Sequence, residues 1–254
     1  MSGKYDDCLE LSEKYQETER LLKASEKKSD SKSYFLAQAS HDLRQPLHAL
    51  RIFAALLADT KLLPQQKNLI EKIIAAADNM HDLLNNYLDL SKLDYGGTKY
   101  EEHIFCLHEL TDKLAEEFSM ISICHHKHLH YIPCSLEIRS DKILLERMLR
   151  NLLTNAVKYA KRKIVFGCKR RGNFVQIIVM DDGIGISDAD LPHIFDEFYQ
   201  SGQNPENKKS GSGLGLAIVK KIADLFKTRI RVKTQPGQGT SFSFLLPAAK
   251  KKEA

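Results

Sequence analysis

The residues best suited to chemistry in this chain fall in one octapeptide, Ser40-His41-Asp42-Leu43-Arg44-Gln45-Pro46-Leu47. A histidine there is followed at once by a carboxylate and, four residues on, by an amide. A neutral imidazole nitrogen is a nucleophile, and a carboxylate that accepts the other ring N–H sets the tautomer and raises the nucleophilicity. His41 is thus read as the residue on which chemistry happens, with the Asp42 carboxylate and the Gln45 amide beside it. A lone histidine in a helix is ordinarily a solvated or packing residue. Pro46 adds to the reading: its missing N–H would have bonded the Asp42 carbonyl, so the helix bends beside the histidine.

Four groups of residues later in the chain bear on what His41 would react with. Asn151-Leu152-Leu153-Thr154-Asn155-Ala156-Val157-Lys158-Tyr159 sets two amides at i and i+4 on one helix face, with an ammonium three residues on. Amides suit a hydrated octahedral Mg²⁺, and an ammonium suits phosphate charge. Asp181-Asp182-Gly183-Ile184-Gly185 follows a Val/Ile-rich run. A carboxylate at a strand end accepts a hydrogen bond from an exocyclic amine, and glycines let a flat base approach the backbone, although a turn explains a glycine pair equally well. Gly211-Ser212-Gly213-Leu214-Gly215-Leu216 opens an apolar helix, Ala217–Phe226. Free N–H groups and the helix dipole make such a start an anion site. No strand immediately precedes it and no Gly-Lys-Ser/Thr ends it, so it is neither a dinucleotide turn nor a P-loop. Last, Phe195-Asp196-Glu197-Phe198 precedes the polar stretch Gln200–Ser210, as the anchor of a lid over about Tyr199–Ser210 or as a plain helix end.

These residues need two kinds of scaffold, and 254 residues suffice for two modest domains. With Leu43 at heptad position d, Cys8, Tyr15, Leu22, Leu36, Leu50 and Leu57 also fall on d, while the a positions are weaker. His41, Asp42 and Gln45 then lie outside the seam. A loop over Thr60–Pro64 leads to a second pattern, Ile70, Ile73, Ala77, Met80, Leu84 and Tyr87, thickened by Ile74 and Leu88 and stopped at Gly96-Gly97. Two antiparallel helices with such wide apolar faces cannot cover each other, so the expectation is an all-α helical hairpin that dimerises into a four-helix bundle. From His103 the period changes. Strands are expected at His103–Cys106, Leu129–Ile132, Ser135–Ile138, Lys163–Cys168, Phe174–Asp181, Arg229–Thr234 and Thr240–Leu246, with helices at Leu107–Ser122 and Asp141–Ala160. The order is that of an α+β sandwich, one sheet with helices on one face. The expected organisation is a coiled-coil helix over 1–33, the hairpin over 34–94, a linker over 95–102, the α+β domain over 103–248 and a tail over 249–254.

Composition narrows the partners. The net charge of +5 comes from scattered or terminal basic residues without interleaved aromatics, which argues against nucleic acid. No apolar run reaches the roughly 18–20 residues of a membrane span, and no signal-peptide core is present, so this segment is expected to make no membrane contact. Five widely spaced cysteines lack a paired pattern and are read as free thiols in a reducing, cytoplasmic setting. Cys124-His125-His126-Lys127-His128-Leu129-His130 and Cys134 hold zinc-type ligands, but their spacing matches no zinc pattern, and alternation over His128–Tyr131 fits a strand.

Taken together and in this order, the five motifs resemble those of the bacterial sensor histidine kinase family. Ser40–Leu47 is similar to its phosphoacceptor box, Asn151–Tyr159 to its asparagine box, Asp181–Gly185 and Gly211–Gly215 to its glycine boxes, and Phe195–Phe198 to its phenylalanine box. The resemblance spans residues 34–247. It implies a dimeric phosphotransfer hairpin and a Bergerat-type ATP-binding sandwich, with ATP and Mg²⁺ as ligands. Asn155 would hold Mg²⁺, with Asn151, Lys158 and Tyr159 beside the phosphates. Asp181 would read the adenine amine, Gly183 and Gly185 would line the base, and Gly211, Gly213, Leu214 and Gly215 would cradle the phosphates near Phe198 and Thr240. The implied activity is autophosphorylation of His41 and transfer to an aspartate of a response-regulator receiver domain, under an upstream sensor domain or sensory partner outside this chain. The docking surface is expected around His48, Arg51 and Ala55. Related gyrase and chaperone ATPases place a glutamate base where Asn151 stands, and an amide cannot do that work. Gln45 departs from the threonine or asparagine common in the family. A nucleotide-binding scaffold and a phosphatase-dominant regulator are the alternative readings.

Overall fold

A computed structural model describes residues 43, 45–58, 60, 62–94, 100–200 and 212–249. The chain divides between Lys99 and Tyr100 into two compact units. His41 and Asp42 lie outside the described residues, as does the early heptad series.

In the first unit, helix α1 covers residues 45–58 and helix α2 covers Pro64–Asp94. Pro64 is the first residue of α2, where its missing N–H costs nothing. The Gln66 side chain accepts the Leu63 N–H at 3.0 Å just ahead of it. Arg51 Nε meets Asp78 Oδ1 at 3.1 Å and ties the two helices together. The heptad frame splits in a way the sequence did not foretell. Its a residues Leu47 and Ala54 are buried at 7% and 5% exposure, whereas Leu43, Leu50 and Leu57 on d stand 53%, 55% and 52% exposed. On α2, Ile70, Ala77 and Leu88 are buried, while Ile73, Met80 and Tyr87 are exposed. One hairpin therefore buries one apolar stripe and leaves a second uncovered.

The second unit is an α+β sandwich. Strand β1 (His103–Cys106) leads into α3 (Leu107–Cys124), followed by β2 (His128–Ile132), β3 (Glu137–Ser140) and α4 (Lys142–Tyr159). Then come β4 (Lys163–Arg171), β5 (Phe174–Asp181), α5 (Gly215–Leu225), β6 (Arg231–Gln235) and β7 (Gly239–Pro247). Five strands form the main sheet in the order β2-β4-β5-β7-β6, parallel only between β2 and β4. Alternation along them sends Ile164, Phe166, Val175, Ile177, Val179, Phe242, Phe244 and Leu246 into the core beneath the helices. The other face carries His128, His130, Lys169, Met180, Arg231 and Lys233, all exposed.

The expectation of a single sheet is corrected: β1 and β3 form a separate antiparallel pair, with Cys106 opposite Glu137. That pairing also moves β3 two residues beyond its expected place. Asp141 then caps α4, its Oδ1 accepting the Ile143 and Leu144 N–H groups at 2.9 and 3.0 Å. Helix α4 buries Leu144, Leu145, Met148, Leu149, Leu152, Leu153, Ala156 and Val157, so it is held on nearly half its circumference. Truncating one of these leucines to alanine is expected to cost about 2–5 kcal/mol. Arg150 makes a two-pronged ion pair with Glu117 at 2.6 and 2.8 Å, which pins α3 to α4.

The reading of the cysteines as free thiols is also corrected. Cys134 and Cys168 form a disulfide, with Cα atoms 5.9 Å apart. Parallel pairing sets Ile132 opposite Gly167, so the chain just past β2 runs beside the next residue of β4. A contact between residues 34 apart in sequence leaves no local spacing signal. Cys106 and Cys124 are free. With two cysteines paired, cysteine usage does not point to a reducing compartment. Among the described residues no helix is long and apolar enough to cross a membrane, and no group of His, Cys, Asp and Glu side chains gathers into a metal site.

Candidate functional site

Helix α4 presents Asn151, Asn155, Lys158 and Tyr159, all half-buried, along the border of its packed face. Asn151 Nδ2 donates to the Arg147 carbonyl at 3.0 Å, which fixes the amide and turns Oδ1 outward from the helix. That oxygen lies 2.9 Å from the position a β-carbon on Gly215 would take, so the glycine lets the Asn151 amide come up against the first residue of α5 in this orientation. Asn155 has no side-chain hydrogen bond among the described residues. A half-buried amide of this kind is an available neutral oxygen donor, the ligand type that Mg²⁺ accepts. The Lys158 ammonium lies 4.8 Å from the centre of the Tyr159 ring.

The end of β5 meets the end of α4. Gly183 donates its N–H to Asp181 Oδ1 at 2.8 Å, and a β-carbon on Gly183 would fall 2.2 Å from the Tyr159 carbonyl oxygen. The close approach that makes this residue a glycine is therefore to protein backbone. Gly185, at φ 71°, is filled in the same way by the Gln235 carbonyl. Burial pushes the Asp181 carboxyl above its ordinary value, opposed by N–H donation from Gly183 and Thr240. Thr240 sits opposite Asp181 in the β5–β7 ladder and is buried.

At the start of α5, Leu214 is fully buried and gives no side-chain cap, while Ser212 Oγ accepts the Leu214 N–H at 3.2 Å; among the described residues the N–H groups of the first turn have no side-chain cap. Gly213 takes φ 71° and abuts the Phe198 backbone. Phe198 itself is exposed, with φ 62°, so of the two expected aromatic anchors only Phe195 is half-buried. The Tyr199 hydroxyl donates to Asp190 Oδ1 at 2.7 Å. Gly211 and residues 201–210 lie outside the described residues.

Two organising residues escaped the sequence reading. Asp182 Oδ1 accepts the N–H groups of Lys161, Arg162 and Lys163 at 3.0, 2.9 and 2.9 Å and so holds the turn that follows α4. Although burial raises its pKa, these donors leave it below the ordinary value. The Thr234 hydroxyl accepts the Ile186 N–H at 2.8 Å, donates to the Gly239 carbonyl and lies 3.0 Å from the Thr240 hydroxyl. A doubled Asp is a weak hint of the first; the second carries no sequence signal, because its partners come from two separate segments, Ile186 and the start of β7 at Gly239 and Thr240. In the first unit, Gln45, His48, Arg51 and Ala55 are all exposed on α1.

One sandwich thus carries the amide pair of α4, the half-buried carboxylate that ends β5 and the start of α5. The histidine kinase-, DNA gyrase B-, and HSP90-like ATPase family matches residues 140–250, and the His Kinase A (phospho-acceptor) domain matches residues 31–96. The chain is 30% identical to the autoinducer 2 sensor kinase/phosphatase LuxQ of Vibrio parahaemolyticus, over 95% of this chain and 29% of that protein. It is 31% identical to the sensor histidine kinase RcsC of Salmonella typhimurium, over 90% of this chain and 25% of that one. It is 32% identical to the sensor-like histidine kinase SenX3 of Mycobacterium bovis, over 84% and 53% respectively. The chain therefore spans between a quarter and a half of the length of these curated relatives. Full-length ShkA in complex with AMPPNP superposes with a TM-score of 0.66 at 26% identity, over 85% of this chain and 46% of that one. Acinetobacter baumannii AdeS shares the fold at 19% identity and a TM-score of 0.55, over 83% and 98%. The chain belongs to the sensor histidine kinases and carries their catalytic core.

Proposed function

We propose that this core phosphorylates its own His41 from Mg-ATP and passes the phosphoryl group to an aspartate of a response-regulator receiver domain. The observation that carries the proposal is the meeting of Asn151 with the start of α5, which joins two motifs far apart in sequence into one corner. A neutral His41 nitrogen attacks the γ-phosphorus as the bond to the β–γ bridging oxygen breaks, and ADP leaves with that electron pair. Asp42 accepts the hydrogen of the other ring nitrogen and steadies the imidazolium that forms. Lys158 and the first-turn N–H groups of α5 face the phosphates, and Asp181 accepts from the adenine amine, in a base pocket whose walls are set by Gly183, Gly185 and Thr240. Asn155 would hold Mg²⁺, which would neutralise charge on the phosphates. Asn151 is an amide and cannot deprotonate water, so transfer to histidine is favoured over hydrolysis.

The hairpin acts as a homodimer through its uncovered d stripe, with the receiver domain docking on α1 around His48, Arg51 and Ala55. ATP as donor sets this part of the protein in the cytoplasm, under a sensor domain or sensory partner. The test is incubation with γ-labelled ATP. Acid-labile, base-stable label that vanishes in His41→Gln is the expected result. Nucleotide binding without label would instead identify a scaffold.

A further inference from the structure

Helix α3 ends in a left-handed turn. His126 takes φ 55° and donates its N–H to Ile123 O at 2.9 Å, while the Lys127 N–H closes on Ser122 O at 2.8 Å. That turn swings Lys127 inward immediately ahead of β2, and the residue is only 9% exposed. Its ammonium donates to the Val157 carbonyl and reaches the Lys158 carbonyl at 3.4 Å, the last carbonyls of α4. A cation there is favoured by the helix dipole, and a buried charge persists only with such partners. The next carbonyl, that of Tyr159, is the one Gly183 presses against, and Gly183 in turn bonds Asp181.

We propose that Lys127 is a positioning residue for nucleotide recognition: its buried ammonium locks the end of α4 against Gly183, whose N–H holds the Asp181 carboxylate, and its charge adds to the Gly183 and Thr240 donors that favour Asp181 as an acceptor. This rests on the reading of Asp181 as the group that reads the adenine amine. Burial works against the Asp181 carboxylate; the N–H groups of Gly183 and then Thr240 work for it most, and the Lys127 charge adds a smaller contribution of the same sign. A lysine that merely capped α4 would support every ligand of the site alike. One that acts through Asp181 affects most the ligand that carries the amine.

Calorimetric titration of the full chain with ATP and with purine riboside triphosphate, which lacks the exocyclic amine, separates these roles. In Lys127→Met, ATP affinity is expected to fall about tenfold and the preference for ATP to shrink by a similar factor, with the analogue nearly unaffected. Lys127→Gln, which keeps a donor for the carbonyls but not the charge, is expected to lose the preference too, and it carries the comparison if the methionine variant does not fold. Lys127→Arg is expected to retain it. Equal weakening of both nucleotides in the Met and Gln variants, or an Arg variant that behaves as they do, overturns the proposal. Asp181→Asn serves as reference. If it leaves the preference intact, the base-reading role of Asp181 falls and the Lys127 role with it. If it abolishes the preference while the Lys127 variants do not, only the Lys127 role falls.

Discussion

Asn151 and Gly215 stand so close that a β-carbon on the glycine would lie 2.9 Å from the asparagine Oδ1. Sixty-four positions separate them in the chain, yet the contact decides where the uncapped start of α5 sits relative to the amides of α4.

Gly215→Ala meets only side-chain atoms of Asn151, which can turn away, so stability should change by less than about 1 kcal/mol, in the range of the Gly/Ala difference in helix propensity. The displaced amide should lower ATP affinity about tenfold, the size expected for one lost polar interaction. Gly185→Ala meets the Gln235 backbone at 2.1 Å with φ 71°, and backbone does not give way. It should cost about 2–4 kcal/mol. Urea unfolding and nucleotide titration of both variants check the contrast; normal ATP binding by Gly215→Ala would remove Asn151 from the site.

Asp181 and Asp182 should respond to pH with opposite signs. The Asp181 pKa is raised in the folded chain, so its contribution to stability is present at low pH and lost as pH rises through that pKa. ATP recognition needs the carboxylate, so affinity should weaken on acidification from a pH above the ordinary aspartate value of 3.8, a limb absent in Asp181→Asn. The Asp182 pKa is lowered, so its contribution is present above the unfolded value and lost as pH falls through the folded one. Asp182→Ala should cost about 1–3 kcal/mol at neutral pH and less at low pH. Denaturation midpoints against pH read both.

The exposed d leucines of α1 are the surface through which two hairpins would join. Leu50→Glu, at a residue 55% exposed in the single chain, should leave the second unit folded and shift the protein from dimer to monomer. Sedimentation gives the answer, and an unchanged dimer would place the interface elsewhere.

The Cys134–Cys168 bridge closes a loop with a sequence separation of 34. Chain-entropy arguments assign such a loop about 3–4 kcal/mol. Reductant should lower the stability of the second unit by that order, while Cys134→Ser should be insensitive to it. Equal midpoints with and without reductant would show that the bridge adds nothing.

The sequence alone determined what depends on neighbours along the chain. Periodicity and local breakers placed α2 from Pro64 to Asp94, β1 over His103–Cys106 and β5 over Phe174–Asp181 as expected. The order of the five motifs pointed to the histidine kinases. Tertiary structure decided what depends on pairing between distant segments. It separated β1 and β3 from the main sheet, joined Cys134 to Cys168, and divided one heptad stripe into a buried a row and an uncovered d row. It also gave Gly183 and Gly185 their close contacts with protein backbone, and put Lys127, Asp182 and Thr234 to work holding the site. The reason is physical: a side chain's type and spacing record its own helix or strand, whereas a hydrogen bond or a filled β-carbon position depends on a second segment whose register only the folded chain sets.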